Sequence, residues 1–434
     1  MTVKSLLLAG GAFLGGTSGA LASGFQVYLP SQQSIGMGGV GVGLSMEQAA
    51  QFMNPGAMAM LRQNGVQVGA SATFARSAFR SANGGEQREL QNTVVTPFNV
   101  YASFGPKEGK WRAGVSVYTP YGSQLKYADG WEGRFSLTEI TLQSVYVQPT
   151  FSYAITDKLS IGAGLMILAY GSVNLQRDIA LPSPYPEGHI TLDGTTETAF
   201  GVNAGIFFKP SDKLSVGVSY RSKIDAKAKG GDVTVTGLPD PNTTITGALL
   251  APRFVGNKFD ATLPLPASVN IGLGIMPNDK LTIGLDVNWT QWSEYRALRF
   301  DFTKDGAPAS VGDLTRTFSE SKRNYEDALT FRLGGQYKVT DKLALRLGGA
   351  YDMTPVKDGY VTPETPDNDR IIGTAGIGYD ITENLGVDAS FMFQAILKRT
   401  QTEAQLLDNG TTDRVAGTYR TNISIPGIGV RYNF

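Results

Sequence analysis

Hydrophobic and polar residues alternate with a period of two along most of the chain. Apolar side chains occupy every second position in runs such as 159–167, 200–208 and 281–289, and the positions between them are small or polar, often glycine. Successive side chains of a β-strand point to opposite faces, so this pattern predicts strands rather than helices. A soluble β-sandwich alternates in the same way, so the alternation alone does not identify the fold.

The connections between these runs alternate between short and long. A short turn formula, in which Thr, Ser or Asn leads through an acidic residue and Lys or Asn to Leu, recurs at 156–159, 211–214, 278–281, 340–343 and 382–385. Asp and Asn suit such turns because their side chains can bond the nearby backbone. Long connections lie near 76–92, 119–139, 171–198, 226–258, 303–327, 354–369 and 399–414. Tight turns at one end of a sheet and long loops at the other are typical of an outer-membrane β-barrel.

The pattern predicts fourteen strands, an even number that places both chain ends on the periplasmic side. They are expected at 66–75, 93–104, 111–118, 140–155, 159–175, 198–209, 213–225, 259–276, 281–302, 328–339, 342–353, 370–381, 384–398 and 415–434. The sheet has to close, because an open edge in lipid leaves backbone groups without hydrogen-bond partners. The predicted fold is therefore all-β, a 14-stranded antiparallel transmembrane β-barrel over 63–434. Its last strand ends at Phe434 in a pattern that resembles the signal read by the barrel-assembly machinery.

The first 22 residues have the three parts of a cleaved secretory signal peptide. Lys4 precedes a short apolar run, and Ala20-Leu21-Ala22 supplies the small residues of a cleavage site. A spanning helix needs about 20 apolar residues, and this run is shorter and rich in glycine. We therefore expect removal of 1–22 and a mature chain that begins at Ser23.

Residues 23–62 precede the first strand and show neither strand periodicity nor high charge. They are rich in glycine between Gly36 and Gly43, and 46–53 predicts a short helix that ends at Asn54-Pro55-Gly56. A barrel of this size has a lumen too wide for its own side chains to fill. The simplest role of 23–62 is therefore an N-terminal hatch with short helices that plugs the lumen. A disordered tail is disfavoured by its Met, Phe and Ala content.

Composition excludes several classes of function. The 38 basic and 38 acidic residues balance, which disfavours a general nucleic-acid binder. With no Cys and one His, the chain has no thiolate nucleophile and no two-His metal site. The glycines from Gly36 to Gly41 match a dinucleotide-binding spacing but lack the flanking strand and helix, so no cofactor is expected. Charged residues make up 18%, below the quarter or so typical of soluble proteins, as a membrane belt requires.

Several short motifs resemble those of the FadL-type outer-membrane transporters of long-chain fatty acids, whose relatives include channels for aromatic hydrocarbons. In chain order they are 23–26, Asn54-Pro55-Gly56, Pro120-Tyr121-Gly122, 131–134, Leu263-Pro264, 289–293 and 366–370. Gly56 stands where the family has alanine. Each motif is modest alone, but their order and spacing span essentially the whole mature chain.

The resemblance implies passive transport of hydrophobic compounds, foremost long-chain fatty acids. Substrate would be captured at the outer loops, pass to a pocket beside the hatch that Phe25 reaches, and leave sideways through a kink in the third strand, at about 111–118. Asn54, Pro55 and Gly56 would shape the hatch and its gating. Each buried methylene favours the apolar phase by about 0.8 kcal/mol, so a lateral exit avoids returning the chain to water. The barrel is expected to be a monomer among outer-membrane lipid and lipopolysaccharide.

A carboxylate head group would need a cation near the pocket. Arg177, just beyond the fifth predicted strand, and Lys322 and Arg323, before the tenth, lie near positions where the family places such cations. All three could instead be solvated loop charges, the commoner fate of Lys and Arg. Asp369 and Arg370 could form an ion pair inside the lumen, because barrel interiors are polar.

Three rival functions are open at this level. A channel for aromatic hydrocarbons would need no cation for a head group. An outer-membrane lipase would need a His beside a Ser nucleophile, and His189, in a proline-rich loop, is the one His of the chain. A general porin would have an open lumen, which a hatch excludes.

Overall fold

The computed structural model describes residues 24–91, 94–250, 256–304, 307–308, 318–406 and 413–434. The predicted signal peptide, 1–22, lies outside these residues, and so does Ser23. No helix in the described part of the chain is both long and apolar enough to cross a membrane.

The chain forms a closed antiparallel β-barrel of fourteen strands, which confirms the predicted fold. Several strands consist of two or three segments in line. The strands are β1 (Gly65–Ser71 and Thr73–Ser81), β2 (Arg88–Glu89, Val94–Val95 and Phe98–Phe104), β3 (Trp111–Tyr118 and Gly122–Lys126), β4 (Glu139–Ala154), β5 (Leu159–Ile179), β6 (Gly188–Thr195 and Ala199–Ser211), β7 (Leu214–Arg221 and Ile224–Thr236), β8 (Lys258–Leu265 and Ser268–Asn278), β9 (Leu281–Thr290 and Ala297–Lys304), β10 (Phe318–Lys322 and Ala328–Lys338), β11 (Leu343–Asp352), β12 (Arg370–Asp380), β13 (Leu385–Gln401) and β14 (Gly417–Asn433). A short segment, Ala307–Pro308, pairs with the end of β9. Closure is made by β14 pairing with β1.

Several predicted elements differ from the structure. The eighth strand is broken at Pro266 and Ala267, because proline cannot donate a ladder hydrogen bond. The ninth is broken at 291–296, where Trp292–Glu294 form a 3-10 helix. The predicted loop 171–198 is largely strand, because β5 continues to Ile179 and pairs there with the first segment of β6.

The two faces of the strands match the alternation of the sequence. On β6, Phe200, Val202 and Ile206 point outward and are 62%, 45% and 52% exposed, whereas Asn203 between them is buried against the hatch. An apolar outer face and a polar inner face are what a barrel in lipid requires. The outward positions therefore form the belt that contacts the membrane.

Four of the short turns are closed by the side chain of their first residue. Thr156, Thr340 and Thr382 each accept a hydrogen bond at 3.0 Å from the N–H of the Leu three positions later. Asn278 makes the same bond, also at 3.0 Å, through its side-chain oxygen. The hydroxyl or amide at the first position, rather than the acidic residue that follows it, therefore fixes the turn.

Residues 24–61 fold inside the barrel, where most of their side chains are buried. They contain α1 (Gln32–Gly36), α2 (Ala50–Met53) and a 3-10 helix, Pro55–Met60. The helix predicted over 46–53 is thus shorter than expected, although it ends at Asn54 as predicted. We call residues 24–61 the hatch.

The barrel wall contacts the hatch at inward-facing glycines. A Cβ atom on Gly334 would overlap the carbonyl oxygen of Met37, and one on Gly217 would overlap that of Val42. Side chains at these positions would push the hatch backbone away from the wall. Close approach of two backbones therefore explains part of the high glycine content.

A candidate hydrophobic-ligand site beside the hatch

An apolar cavity lies inside the barrel, towards the end that carries the long connections and against the N-terminal end of the hatch. Its empty volume, with the adjoining open solvent, is about 870 Å³. Apolar side chains dominate its lining, and they come from the hatch, β4, β5, β7, β8 and β9: Phe25, Ile140, Leu142, Leu168, Val173, Leu175, Ala226, Ala228, Ala261, Leu263, Leu265, Leu298 and Phe300. This arrangement suits a hydrophobic ligand better than a polar one.

The first residues of the hatch hydrogen-bond to an interruption in β3. The Val27 N–H donates to the Pro120 carbonyl at 2.7 Å, and the Gly122 N–H donates to the Phe25 carbonyl at 3.0 Å. The interruption lies at 119–121, after the regular segment Trp111–Tyr118 in which the kink was predicted. That segment pairs on both sides, with β2 and β4, so the predicted position of the kink is wrong by a few residues.

Phe25 contributes its ring to the cavity wall. The ring packs edge-on against Trp292 and Tyr295, with centroids 4.9 and 5.5 Å away, and lies 6.0 Å from Tyr121. Gly24 precedes it with a positive φ of 64°, and a Cβ at Gly24 would lie 2.7 Å from the Trp292 ring. Glycine is required here because both the backbone conformation and the close approach exclude a side chain.

The ion pair predicted between Asp369 and Arg370 is wrong. Arg370, fully buried, pairs with Asp367 and with Asp352, at 3.5 Å from the latter. Asp369 accepts hydrogen bonds from the Tyr351 hydroxyl and the Thr354 N–H instead. Neighbouring residues of an extended chain point to opposite faces, so adjacent Asp and Arg side chains diverge.

Asp367 joins this buried charge network to the hatch. Its carboxylate accepts a hydrogen bond from the Gly24 N–H at 3.3 Å and one from the Thr354 hydroxyl at 2.8 Å. Burial raises the pKa of Asp367, and the Arg370 guanidinium opposes that shift. The connection between β11 and β12 thereby holds the first described residue of the hatch.

Asn54, Pro55 and Gly56 anchor the hatch to the wall. The Asn54 side-chain amide donates to the carbonyls of Val42, within the hatch, and Ile206, on β6, at 2.9 and 3.0 Å. Its oxygen accepts from the Gly56 N–H at 3.0 Å. A Cβ at Gly56 would lie 2.7 Å from the Gly205 carbonyl oxygen, a close contact with the wall. Their part in gating stays a prediction.

The three predicted head-group cations occupy different environments. Arg177 lies within β5, not beyond it, and is partly exposed. It lies on the same face of β5 as Leu175, which lines the cavity. Its Cα is two residues, or about 6.6 Å, further along the strand. Lys322 is exposed at the end of a β10 segment, whereas Arg323 is fully buried. None of the three is among the residues that line the cavity within the described chain.

Arg323 lies in the break between the two segments of β10 and joins it to two outer connections. Its guanidinium pairs with Glu364, from the connection between β11 and β12, and with Asp413, at 2.8 Å, from the connection between β13 and β14. Burial raises the pKa of Glu364, and Arg323 opposes that shift. Two carboxylates already neutralise this guanidinium, which disfavours Arg323 as a partner for a substrate head group.

Sequence reasoning missed Glu364 and the alanines of the cavity wall. Glu364 borders the cavity, but nothing in its local sequence marks a buried carboxylate. Ala226 and Ala228 continue the alternation of β7 into the predicted loop 226–258, so the alternation carries a signal for them. Trp292 and Tyr295, both buried, lie in a break within β9 that interrupts the alternation.

Removing the buried cation at position 323 should loosen the outer loops. Arg323→Met removes the buried cation beside the Glu364 and Asp413 carboxylates, a change that costs about 3–5 kcal/mol. We expect faster protease cleavage of these loops in intact cells. Arg299→Met is the control, because its half-exposed pairs with Asp301 and Glu320 are worth about 0–1 kcal/mol. Equal cleavage rates in the two variants would contradict the role assigned to Arg323.

His189 lies on β6 rather than in a loop. Its ring nitrogens contact Asp178 at 2.9 Å and Gln176 at 3.3 Å, both on β5. These neighbours fix the imidazole on the sheet surface. They provide a carboxylate and an amide, not the serine hydroxyl that a lipase would activate.

The sequence matches a known family over almost its full length. Residues 13–434 match the family described as "Outer membrane protein transport protein (OMPP1/FadL/TodX)". A "47 kDa outer membrane protein" of Pasteurella multocida is 26% identical, over 99% of this chain and 98% of its own. A "Long-chain fatty acid transport protein" of Escherichia coli O6:H1 is 23% identical, over 78% of this chain and 79% of its own.

Solved structures share the fold. The crystal structure of a Pseudomonas aeruginosa FadL homologue superposes with a TM-score of 0.80 at 21% identity, and covers 95% of this chain and 100% of that one. The Ralstonia pickettii toluene transporter TbuX superposes with a TM-score of 0.64 at 18% identity, over 95% and 99% of the two chains. The chain belongs to the OMPP1/FadL/TodX family and is an outer-membrane transporter of hydrophobic compounds.

Proposed function

We propose that this protein takes up long-chain fatty acids by passive diffusion, with the acyl chain held in the cavity beside the hatch. The observation that carries the proposal is the apolar lining of a cavity of about 870 Å³. Each methylene of an acyl chain placed against this lining gains about 0.8 kcal/mol over water. The E. coli relative named for fatty acid transport supports this substrate class.

Arg177 is the proposed partner of the carboxylate. It continues the strand face that carries Leu175 into the cavity wall, and so lies towards the outer rim of the site. A fatty acid with its chain in the cavity would direct its head group to that rim, where the solvated carboxylate loses little hydration. Hydrogen bonds between ionised groups are the stronger kind, which would favour the acid over a hydrocarbon.

A neutral aromatic hydrocarbon is the second candidate. Among the described residues that line the cavity, Glu364 is the one charged group, and Lys and Arg are absent. A hydrocarbon needs no cation and fits this lining directly. The toluene transporter TbuX shares the fold, which supports a hydrocarbon as the second candidate.

The exit route that we propose is lateral, at the interruption of β3. Tyr121 lies in that interruption and borders the cavity together with Phe25. Displacement of the Phe25–Val27 segment would release its hydrogen bonds to Pro120 and Gly122 and open this wall towards the bilayer. The acyl chain would then pass from one apolar environment to another.

Arg177→Gln distinguishes the two substrate classes. Loss of a charge-assisted contact of about 1.5–3 kcal/mol should lower oleate uptake by about tenfold or more at low concentration, and leave toluene uptake unchanged. Uptake of both labelled compounds by whole cells is the measurement, with Arg299→Gln, an exposed outer arginine, as control. Unchanged oleate uptake would refute the head-group role of Arg177. Uptake of toluene but not oleate by the wild type would favour the second candidate.

A further inference from the structure

The ladder between β8 and β9 is interrupted at one wall of the cavity. It runs from Lys258–Thr303 to Ala261–Phe300 and resumes only at Ser268–Thr290. Between these points the described residues form no paired ladder positions, and the Gln291 N–H donates to the Ala267 carbonyl at 2.9 Å. Residues 262–266 therefore face 292–299 without a continuous ladder.

The sequence of both strands maintains this gap. Pro264 and Pro266 occupy alternate positions of β8, so both missing N–H groups lie on the same edge of the strand. On β9, Trp292–Glu294 fold into a 3-10 helix that takes this part of the strand out of register. The gap is consequently built from residues that cannot make the ladder, and does not depend on a chance distortion.

The cavity borders the gap. On the β8 side it is lined by Thr262, Leu263 and Leu265, and on the β9 side by Tyr295, Leu298 and Phe300. In both sets most of the side chains are apolar or aromatic. A hydrophobic molecule in the cavity therefore meets, at this wall, side chains rather than hydrogen-bonded backbone.

The gap lies at the outer edge of the apolar belt. Below it, the outward residues Ile271 and Val287 are exposed to lipid, whereas above it the exposed residues Arg299 and Asp301 form an ion pair at 2.7 Å. A change from apolar to charged outward residues marks the boundary between the hydrocarbon and the head groups. The hydrocarbon layer of the outer leaflet therefore extends to about the level of the gap.

We propose that the gap between β8 and β9 is a second side opening, through which hydrophobic molecules dissolved in the outer leaflet reach the cavity. The proposal rests on the proposed function, because it requires the cavity to bind hydrophobic compounds. It differs from the interruption of β3, which lies in another part of the barrel wall and is occupied by hatch residues 25–27. Leu298 and Leu263 would form the two sides of the opening.

Bridging the gap tests the proposal. The chain has no Cys, so Leu263→Cys with Leu298→Cys can be joined selectively by a short bismaleimide. If oleate enters equally through the outer loops and through the gap, closing the gap should lower its uptake by about twofold. The control is Lys258→Cys with Thr303→Cys, which bridges a pair already joined by the ladder and should leave uptake unchanged. Equal uptake with both bridges would overturn the second opening, whereas no uptake by the unmodified wild type would instead overturn the proposed function.

Lipid access can be measured without cross-linking. A bimane on Leu298→Cys in vesicles containing nitroxide-labelled phospholipid should be quenched, as should one on the lipid-facing Ile271→Cys. A bimane on Thr402→Cys, in an exposed outer connection, should not be quenched. Quenching at position 298 as weak as at 402 would overturn the proposal.

Discussion

Tryptophan at both Ala226 and Ala228 is expected to abolish uptake of oleate and toluene together. The two alanines are buried, alternate along β7 and border the cavity, so two indole rings would fill the space beside Leu263. Because the ligand would be excluded by volume, the loss should not depend on its head group. Overpacking costs about 1–3 kcal/mol, which a closed barrel should tolerate. Uptake of both labelled compounds should fall to that of cells that lack the protein.

The matched control places the same side chains on the membrane face. Ala375 and Ala389 are exposed on β12 and β13, and tryptophan at both should preserve uptake. Retention of the folded barrel can be checked in each variant by its altered migration in unheated gels. If the cavity variant folds and still takes up either compound at the wild-type rate, the cavity is not the transport site.

Removal of the hatch is expected to convert the protein into an open pore. Residues 24–61 fill the lumen and bond to the wall at several heights, through Asp286 to Gly41 and Val42 and through Thr374 to Gly38. A barrel of fourteen strands without this segment has a lumen wide enough for water and ions. In planar bilayers the shortened protein should show large, steady single-channel conductance, and the full-length protein little or none.

A wall variant gives the same test with the hatch still present. Gly217→Phe would drive a side chain into the Val42 carbonyl and displace the hatch, so conductance should rise. Gly373→Phe is the control, because nothing lies within 4 Å of a Cβ at that position. Steady high conductance in the unmodified protein would show that the hatch does not seal the barrel and would favour a porin.

The fold could be predicted because each barrel strand reports its two environments directly in the sequence. On β6, Phe200 and Val202 face lipid and Asn203 faces the hatch, so a period of two appears wherever a strand crosses the membrane. The recurring Thr and Asn at the first position of the short turns set the direction of each hairpin. These are local properties, and they fix the number and order of the strands.

The site was less predictable because it depends on contacts between distant segments. The partner of Arg370 is decided by which face each side chain takes, which is why neighbouring Asp369 does not pair with it. The buried trio of Arg323, Glu364 and Asp413 joins the break in β10 to two separate connections, and no spacing along the chain reveals it. Breaks such as the one at Pro266 become visible only when the register on both sides is known.

The most direct test of the account is to locate a ligand in the protein. Crystals grown with a fatty acid that carries bromine on its chain would place the ligand through anomalous scattering. We expect a bromine peak inside the cavity, between Phe25 of the hatch and Leu263 of β8. A protein that takes up the same brominated acid, but shows its bromine peaks only outside this cavity, would contradict the account.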